Sequence, residues 1–176
     1  MYAGGRKRNG YTSAMEPVRY VDLLNQRYRQ QGFPAYEWTV NDGAPLTTPV
    51  KPLAESTVAM LTSGGVSHCS MPAWNPDARN DFRLDAIDPA TSAPDFQVHD
   101  SYYDTTDASN DINCVFPIDR LRELQDSGVI GAVATRHWSG FMGRIYSRTK
   151  VCEVSAPALA AELRKNEVDV FLLVPA

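Results

Sequence analysis

"INCVFPIDRLRELQDSGVIGAVATRHW", residues 112–138, changes its hydrophobic spacing twice. "INCVFP" is a short continuous apolar run and predicts a strand. From Ile118 to Ser127 the apolar residues Ile118, Leu121 and Leu124 fall on one helical face, with Asp119 in the first turn, where the helix dipole favours a carboxylate, and Gly128 as the stop. "VIGAVATRHW" then reads as a strand again. The alternation continues downstream, with a helix over residues 155–166 and an apolar strand in "VDVFLLVP", residues 168–175. Strands alternating with helices predict an α/β fold, a mostly parallel sheet with flanking helices in a Rossmann-like three-layer arrangement.

Upstream, "STVAMLTSGG", residues 56–65, reads as a buried strand feeding a tight glycine loop. Val18, Val21, Leu24 and Tyr28 recur at helical spacing over residues 16–31, which predicts an amphipathic helix facing the core on one side and ended by Gly32 and Pro34. Proline and glycine from Pro34 to Pro52 predict loop, with at most a short strand at "YEWTV", residues 36–40. Residues 67–110 are polar and rich in Asp, Pro and Ser, and are expected to form a long loop of the functional or mobile kind. The expected organisation is a flexible basic tail over residues 1–15 and one α/β domain over residues 16–176.

The last strand bears on completeness. A central parallel strand is apolar on both faces and needs helices on both, yet "VDVFLLVPA" is followed by no helix, and ligands in open α/β sheets bind just beyond the carboxyl ends of strands. The expectation is a domain whose C-terminal part is missing, against the plainer possibility of a terminal strand tucked beside its neighbours.

Composition narrows the classes. The chain of 176 residues is 43% hydrophobic and 22% charged, the balance of a folded globular protein. The formal net charge of -4 and pI near 5.3 give no support for a nucleic-acid partner. No apolar run is long enough to span a bilayer, so no membrane partner is expected. The three cysteines, Cys69, Cys114 and Cys152, have neither disulfide parity nor zinc spacing, which points to reduced thiols and a cytoplasmic location.

Chemistry-bearing residues concentrate in "HDSYYDTTDASNDINCVFPIDR", where His99, Asp104, Asp107, Asp111 and Asn113 precede Asp119 and Arg120. Carboxylates with a histidine can hold a hard cation, but the spacing matches no known loop and no metal is expected; the same residues also serve as turn and helix caps. Gly64 and Gly65 permit close backbone approach to a ligand. His68 beside Cys69 raises a thiolate–imidazole pair, which neighbouring strand positions would hold apart. His137 is expected at the carboxyl edge of its strand, before a turn at Ser139 and Gly140, as an acid, base or oxyanion partner or as a buried structural histidine. Cys114 reads as a small core residue, and Cys152 has no role.

"NDINCVFPIDRLRELQDSGVIGAVATRHWSGFMG", residues 110–143, closely resembles the corresponding run of the glycine/sarcosine/betaine/D-proline reductase selenoprotein B family, its shorter D-proline reductase members above all. "MLTSGGV", "DFRLD" and "HDSYYDTTDASND" resemble family segments in the same order, and the likeness extends over most of the chain from Tyr20. The resemblance implies a subunit of a selenol- or thiol-dependent reductase that cleaves a bond at the α-carbon of a small amino acid or related amine. It implies no cofactor within these residues, a selenocysteine or cysteine just after Ala176, a pyruvoyl group on a partner subunit and a thiol reductant protein. Gly64, Gly65, Asp104, Asp107, Asp111, Asp119 and Arg120 would then wall the substrate site, with His137 near the nucleophile. The alternative is a non-catalytic α/β subunit that binds a small ligand or serves as scaffold.

Overall fold

The computed structural model describes residues 20–35, 42–43 and 47–176. The chain divides into two compact units, Met1–Leu46 and Thr47–Ala176. Residues 1–15 and the strand expected at 36–40 lie outside the described residues.

In the first unit, helix α1 (Tyr20–Gln30) ends where expected. The Gly32 N–H donates to the Arg29 carbonyl and the Phe33 N–H to the Tyr28 carbonyl, and the Phe33 and Tyr28 rings meet edge to face at 6.0 Å. Of the expected core-facing residues, Leu24 and Tyr28 are exposed, Val21 is half-buried and Val18 lies outside the described residues.

The second unit is built on β1 (Thr57–Thr62), which carries a parallel neighbour on each side. Along one edge runs β7 (Val170–Val174), in register from Val58↔Val170 to Thr62↔Val174. Along the other run β5 (Ala132–Val133) and then β6 (His137–Gly140). Strand β3 (Leu84–Ile87) pairs antiparallel with β6, and β2 (Val66–His68) with β4 (Phe96–Val98) forms a separate antiparallel ribbon. The sheet is therefore mixed and mostly parallel. Alternate residues of β1 enter two cores: Val58 and Met60 pack with Phe116, Ile118 and Leu121 on the side of α3 (Ile118–Asp126), while Ala59 and Leu61 pack with Trp138 and Leu159 on the side of α5 (Ala156–Lys165). Helix, sheet and helix make the three layers.

The strand expected at "VIGAVATRHW" is interrupted, and a side chain explains how. Val58 faces Val133 but Leu61 faces Trp138, three steps along β1 against five along its neighbour. The excess residues interrupt the ladder, and the Met60 N–H donates instead to Nδ1 of His137 at 3.0 Å. A buried amide without an acceptor would cost about 1–3 kcal/mol, so the imidazole takes the place of a backbone carbonyl.

"INCVFP" is not a strand. Asp111 accepts from the Asn113 N–H at 3.0 Å and starts a 3₁₀ turn over Ile112–Cys114, and Pro117 has no N–H to give a ladder. Ile112, Val115 and Phe116 reach the core from that turn, while Cys114, read as a core residue, is exposed. The long loop expected at 67–110 holds most of β2, all of β3 and β4, and helix α2 (Thr106–Asn110), each too short to show a period. The helical run that ends in α5 begins earlier than expected, at α4 (Arg148–Lys150), and passes through a π-helical turn over Val151–Ser155. Strand β7, expected to be central, pairs only with β1 among the described residues, and its Leu173 is 62% exposed.

Helices α3 and α5 end alike, with one difference. At α3 the turn residue is Gly128 at φ +72°; at α5 it is Glu167 at φ 52°, with the Glu167 N–H on the Arg164 carbonyl and the Val168 N–H on that of Leu163. A left-handed conformation costs a residue with a Cβ roughly 1–2 kcal/mol. Glu167→Gly is expected to raise stability by about 1 kcal/mol, read as a higher urea midpoint at unchanged slope; an unchanged or lower midpoint contradicts this account.

His137 makes a second expectation. Burial, and secondarily the charge of Arg122, lowers its pKa from 6.5 to about 4, only partly opposed by the Ala134 carbonyl. The ring is neutral in the fold, as an acceptor Nδ1 requires, and the unfolded chain binds its proton first as pH falls. Its stabilising effect is thus complete above pH 6.5 and is lost on descent towards pH 4, by roughly 3 kcal/mol. His137→Asn, which keeps an acceptor for Met60 but does not titrate, should be less stable at pH 7.5 yet lose about 3 kcal/mol less between pH 7.5 and 4. Parallel stability curves for the two proteins would show that the buried His137 ring does not carry this pH dependence.

Candidate functional site

The carboxyl ends of β1, β6 and β7 converge on the loop Ser63–Gly65. Thr62 Oγ1 accepts the Gly64 N–H at 3.0 Å, and the Ser63 N–H donates to the Val174 carbonyl at 3.2 Å. Ser63 Oγ in turn accepts the Ala176 N–H at 3.2 Å, which seats the last residue on the loop. A Cβ on Gly64 would lie 3.3 Å from that of Ala176 and 3.0 Å from that of Val115, so the missing side chain makes this seat possible. The Tyr103 hydroxyl donates to the Gly64 carbonyl at 2.7 Å. Burial first, then the charges of Asp100 and Cys114, pushes that hydroxyl up to about 12, so it stays a donor across the physiological range.

Gly65 has the close backbone approach expected of it, but the neighbour is the protein itself. At φ +68°, a Cβ there would stand 2.1 Å from the His99 carbonyl oxygen, and the His99 N–H donates back to the Gly65 carbonyl at 2.9 Å. The residue fixes the β2–β4 ribbon against the end of β1.

His137 is not at the carboxyl edge. Strand β6 starts with it and runs on through Ser139 and Gly140, so the turn lies beyond and the ring sits in mid-sheet, fully buried and edge-on to Phe116 at 6.0 Å. Its Nε2 has no hydrogen-bond partner, and neither do the buried hydroxyls of Ser139 and Ser67. Ser139 lies opposite Asp85 on β3, on the sheet face that also carries His137. Asp85 is 6% exposed and bound side-on by Arg83, with Nε to Oδ1 at 2.7 Å and Nη2 to Oδ2 at 2.5 Å. The guanidinium of Arg83 also covers the Trp74 ring at 4.3 Å and donates to the Pro72 and Ala73 carbonyls. Asp85, Ser139 and His137 thus put polar side chains along one face of β3 and β6. The pairing of Arg83 with Asp85 was missed in the sequence although "DFRLD" carries it: positions two apart on a strand share a face.

The acidic residues of the 99–120 segment are not gathered round one point. Asp104 accepts from the Thr106 N–H and hydroxyl at the start of α2, and these bonds hold its pKa below the usual carboxylate range. Asp111 is lowered in the same way by the side chain and amide of Asn113. Asn113 links Asp111 to Asp119, which pairs with Arg122; Arg122 also donates to the Pro89 and Thr91 carbonyls. Asp107 lies in the first turn of α2, and Arg120 pairs with Glu123 on the exposed side of α3 at 2.7 Å. His68 Nδ1 is engaged by the hydroxyl and amide of Ser70, beside an exposed Cys69. Among the described residues no group of three or more His, Cys, Asp or Glu is placed to hold a metal ion, and no helix is long and apolar enough to cross a membrane.

Comparison with known proteins gives this geometry its context. The family model of glycine/sarcosine/betaine reductase selenoprotein B matches residues 1–176. The D-proline reductase subunit gamma of Acetoanaerobium sticklandii is 38% identical over 130 residues, covering 73% of this chain and 52% of that protein. The glycine reductase complex component B subunit gamma of Symbiobacterium thermophilum is 29% identical over 180 residues, 96% of this chain and 40% of that protein. The sarcosine reductase complex component B subunit beta of Peptoclostridium acidaminophilum is 30% identical over 139 residues, 74% of this chain and 31% of that protein. This chain therefore spans about half the length, or less, of these relatives, and no solved structure matches it. With a family match over its whole length, the chain belongs to the glycine/sarcosine/betaine reductase selenoprotein B family.

Proposed function

We propose that this chain forms the sheet-bearing part of a subunit of a cytoplasmic, dithiol-dependent reductase that cleaves a bond at the α-carbon of a small amino acid or related amine. The redox residue of that enzyme is assigned to the portion of the longer relatives that this chain does not span, next after Ala176. The seat of Ala176 on Ser63 carries the reading: it puts the end of β7 at the carboxyl edge of a parallel sheet, where open α/β folds place their ligands. A selenol there supplies a nucleophile ionised at neutral pH, and a pyruvoyl group on a partner subunit captures a free amine.

The roles of this chain's own residues follow from their bonds. Ser63 and Gly64 hold the end of β7 against the loop, and Tyr103 fixes that loop through the Gly64 carbonyl. His137 acts as a positioning residue, through the ladder bond at the start of β6, and touches no substrate in this reading. A thiol-bearing protein returns the redox residue to its reduced state.

The test is made on the native protein. Its intact mass should exceed the 19.5 kDa of these residues, the codon after Ala176 should be UGA or a cysteine codon in an open frame, and the purified complex should consume D-proline, glycine, sarcosine or betaine only when a dithiol is present. A native mass of 19.5 kDa with no dithiol-dependent turnover would overturn the assignment and leave a scaffold or ligand-binding subunit.

A further inference from the structure

Two cavities of the second unit share the Phe141 ring as a wall. The larger, about 480 Å³, is apolar and lies between α5 and β7. The smaller, about 190 Å³, is bounded by Phe82, Leu84, Phe141, Ile145, Lys150 and Ser155. Three uncommon features meet at the smaller one. Phe141 has φ 54°, a left-handed conformation that a bulky side chain rarely adopts and that concentrates at ligand sites. Ser155 comes from the π-helical turn Val151–Ser155, a distortion also frequent at functional positions. Lys150 places its ammonium 4.0 Å from the centre of the Phe82 ring, and no carboxylate among the described residues lies within ion-pair distance of it. The other cation at this cavity, Arg83, is already spent on Asp85.

We propose that this cavity binds a small carboxylate carried on a compact apolar ring. The carboxylate meets the Lys150 ammonium and the Ser155 hydroxyl, and the ring lies against Phe82 and Phe141. An ammonium with an aromatic face on one side and no counter-ion favours an anion over a neutral polar group. The volume, roughly six water-sized groups at ~30 Å³ each, accommodates a single ring of five or six atoms. The proposal concerns binding alone, so its outcome is independent of whether the reductase assignment holds.

The test is calorimetric titration of the purified protein with benzoate and with benzamide, which has the same shape without the charge. Benzoate should saturate one site and bind at least about tenfold more tightly than benzamide. Lys150→Met keeps the side-chain stem over Phe82 and should weaken benzoate by about tenfold while leaving benzamide unchanged. Ala158→Leu, which fills the same cavity, should weaken both probes. No saturation by benzoate at about 20 mM, equal affinity for the two probes, or benzoate binding indifferent to both substitutions overturns the proposal. Should Lys150→Met fail to fold, the benzoate-to-benzamide ratio and the Ala158→Leu result still decide it.

Discussion

The sheet depends on one bond, from the Met60 amide to Nδ1 of His137. Strand β1 has a parallel neighbour on each edge, but on the β5–β6 side the neighbour advances five residues while β1 advances three. A ladder with such a mismatch leaves a central amide facing a gap. Histidine suits the gap because its neutral ring offers an acceptor at the right reach and an apolar body to a core formed by Phe116 and Met60. Asparagine offers the acceptor without the body, and phenylalanine the body without the acceptor. The bond lies at the first residue of β6, where the ladder with β1 resumes.

That bond shows what the sequence could and could not disclose. Helix α3 was legible because Ile118, Leu121 and Leu124 keep one period and Gly128 supplies the left-handed turn. Strands β1 and β7 were legible because their apolar runs are bounded by glycine, proline or charge. "INCVFP" was misread because a short apolar run looks the same whether it enters the core along a strand or from a turn; the Asp111–Asn113 bond that decides for the turn is itself a local sequence feature. The interruption of "VIGAVATRHW" was not legible, since it arises from pairing with β1, more than 70 residues away in the chain, as the spacing of Met60 and His137 shows.

The candidate site divides along the same line. Gly64, Gly65 and His137 were singled out as substrate-site and catalytic candidates, and the sequence did not tell what constrains each in the fold. For Gly65 it is the His99 carbonyl, for Gly64 the Ala176 and Val115 side chains, and for His137 the Met60 amide. Asp104, Asp111 and Asp119 looked like a ligand set because turn caps and metal ligands draw on the same residue types. Their bonds to Thr106, Asn113 and Arg122 are local, within six residues, which is the mark of capping. Arg83 and Asp85 escaped notice as a pair because Arg83 stands one residue before a four-residue strand, too short an element to stand out.

The buried polar side chains are harder to reconcile with a purely structural sheet. Ser67, Ser139 and the His137 Nε2 are all buried without a protein partner, and each such group costs about 1–3 kcal/mol unless something other than protein serves it. Alanine at the two serine positions would avoid that cost and fit the same space. Asp85 adds a buried carboxylate, held in place by Arg83 at the further expense of desolvating both charges. His137, Ser139 and Asp85 lie on one face of β6 and β3, and none is needed by the ladder apart from the Nδ1 of His137. The sheet thus carries the costly polar groups of His137 and Ser139 on one face and Ala59, Leu61 and Trp138 against α5 on the other.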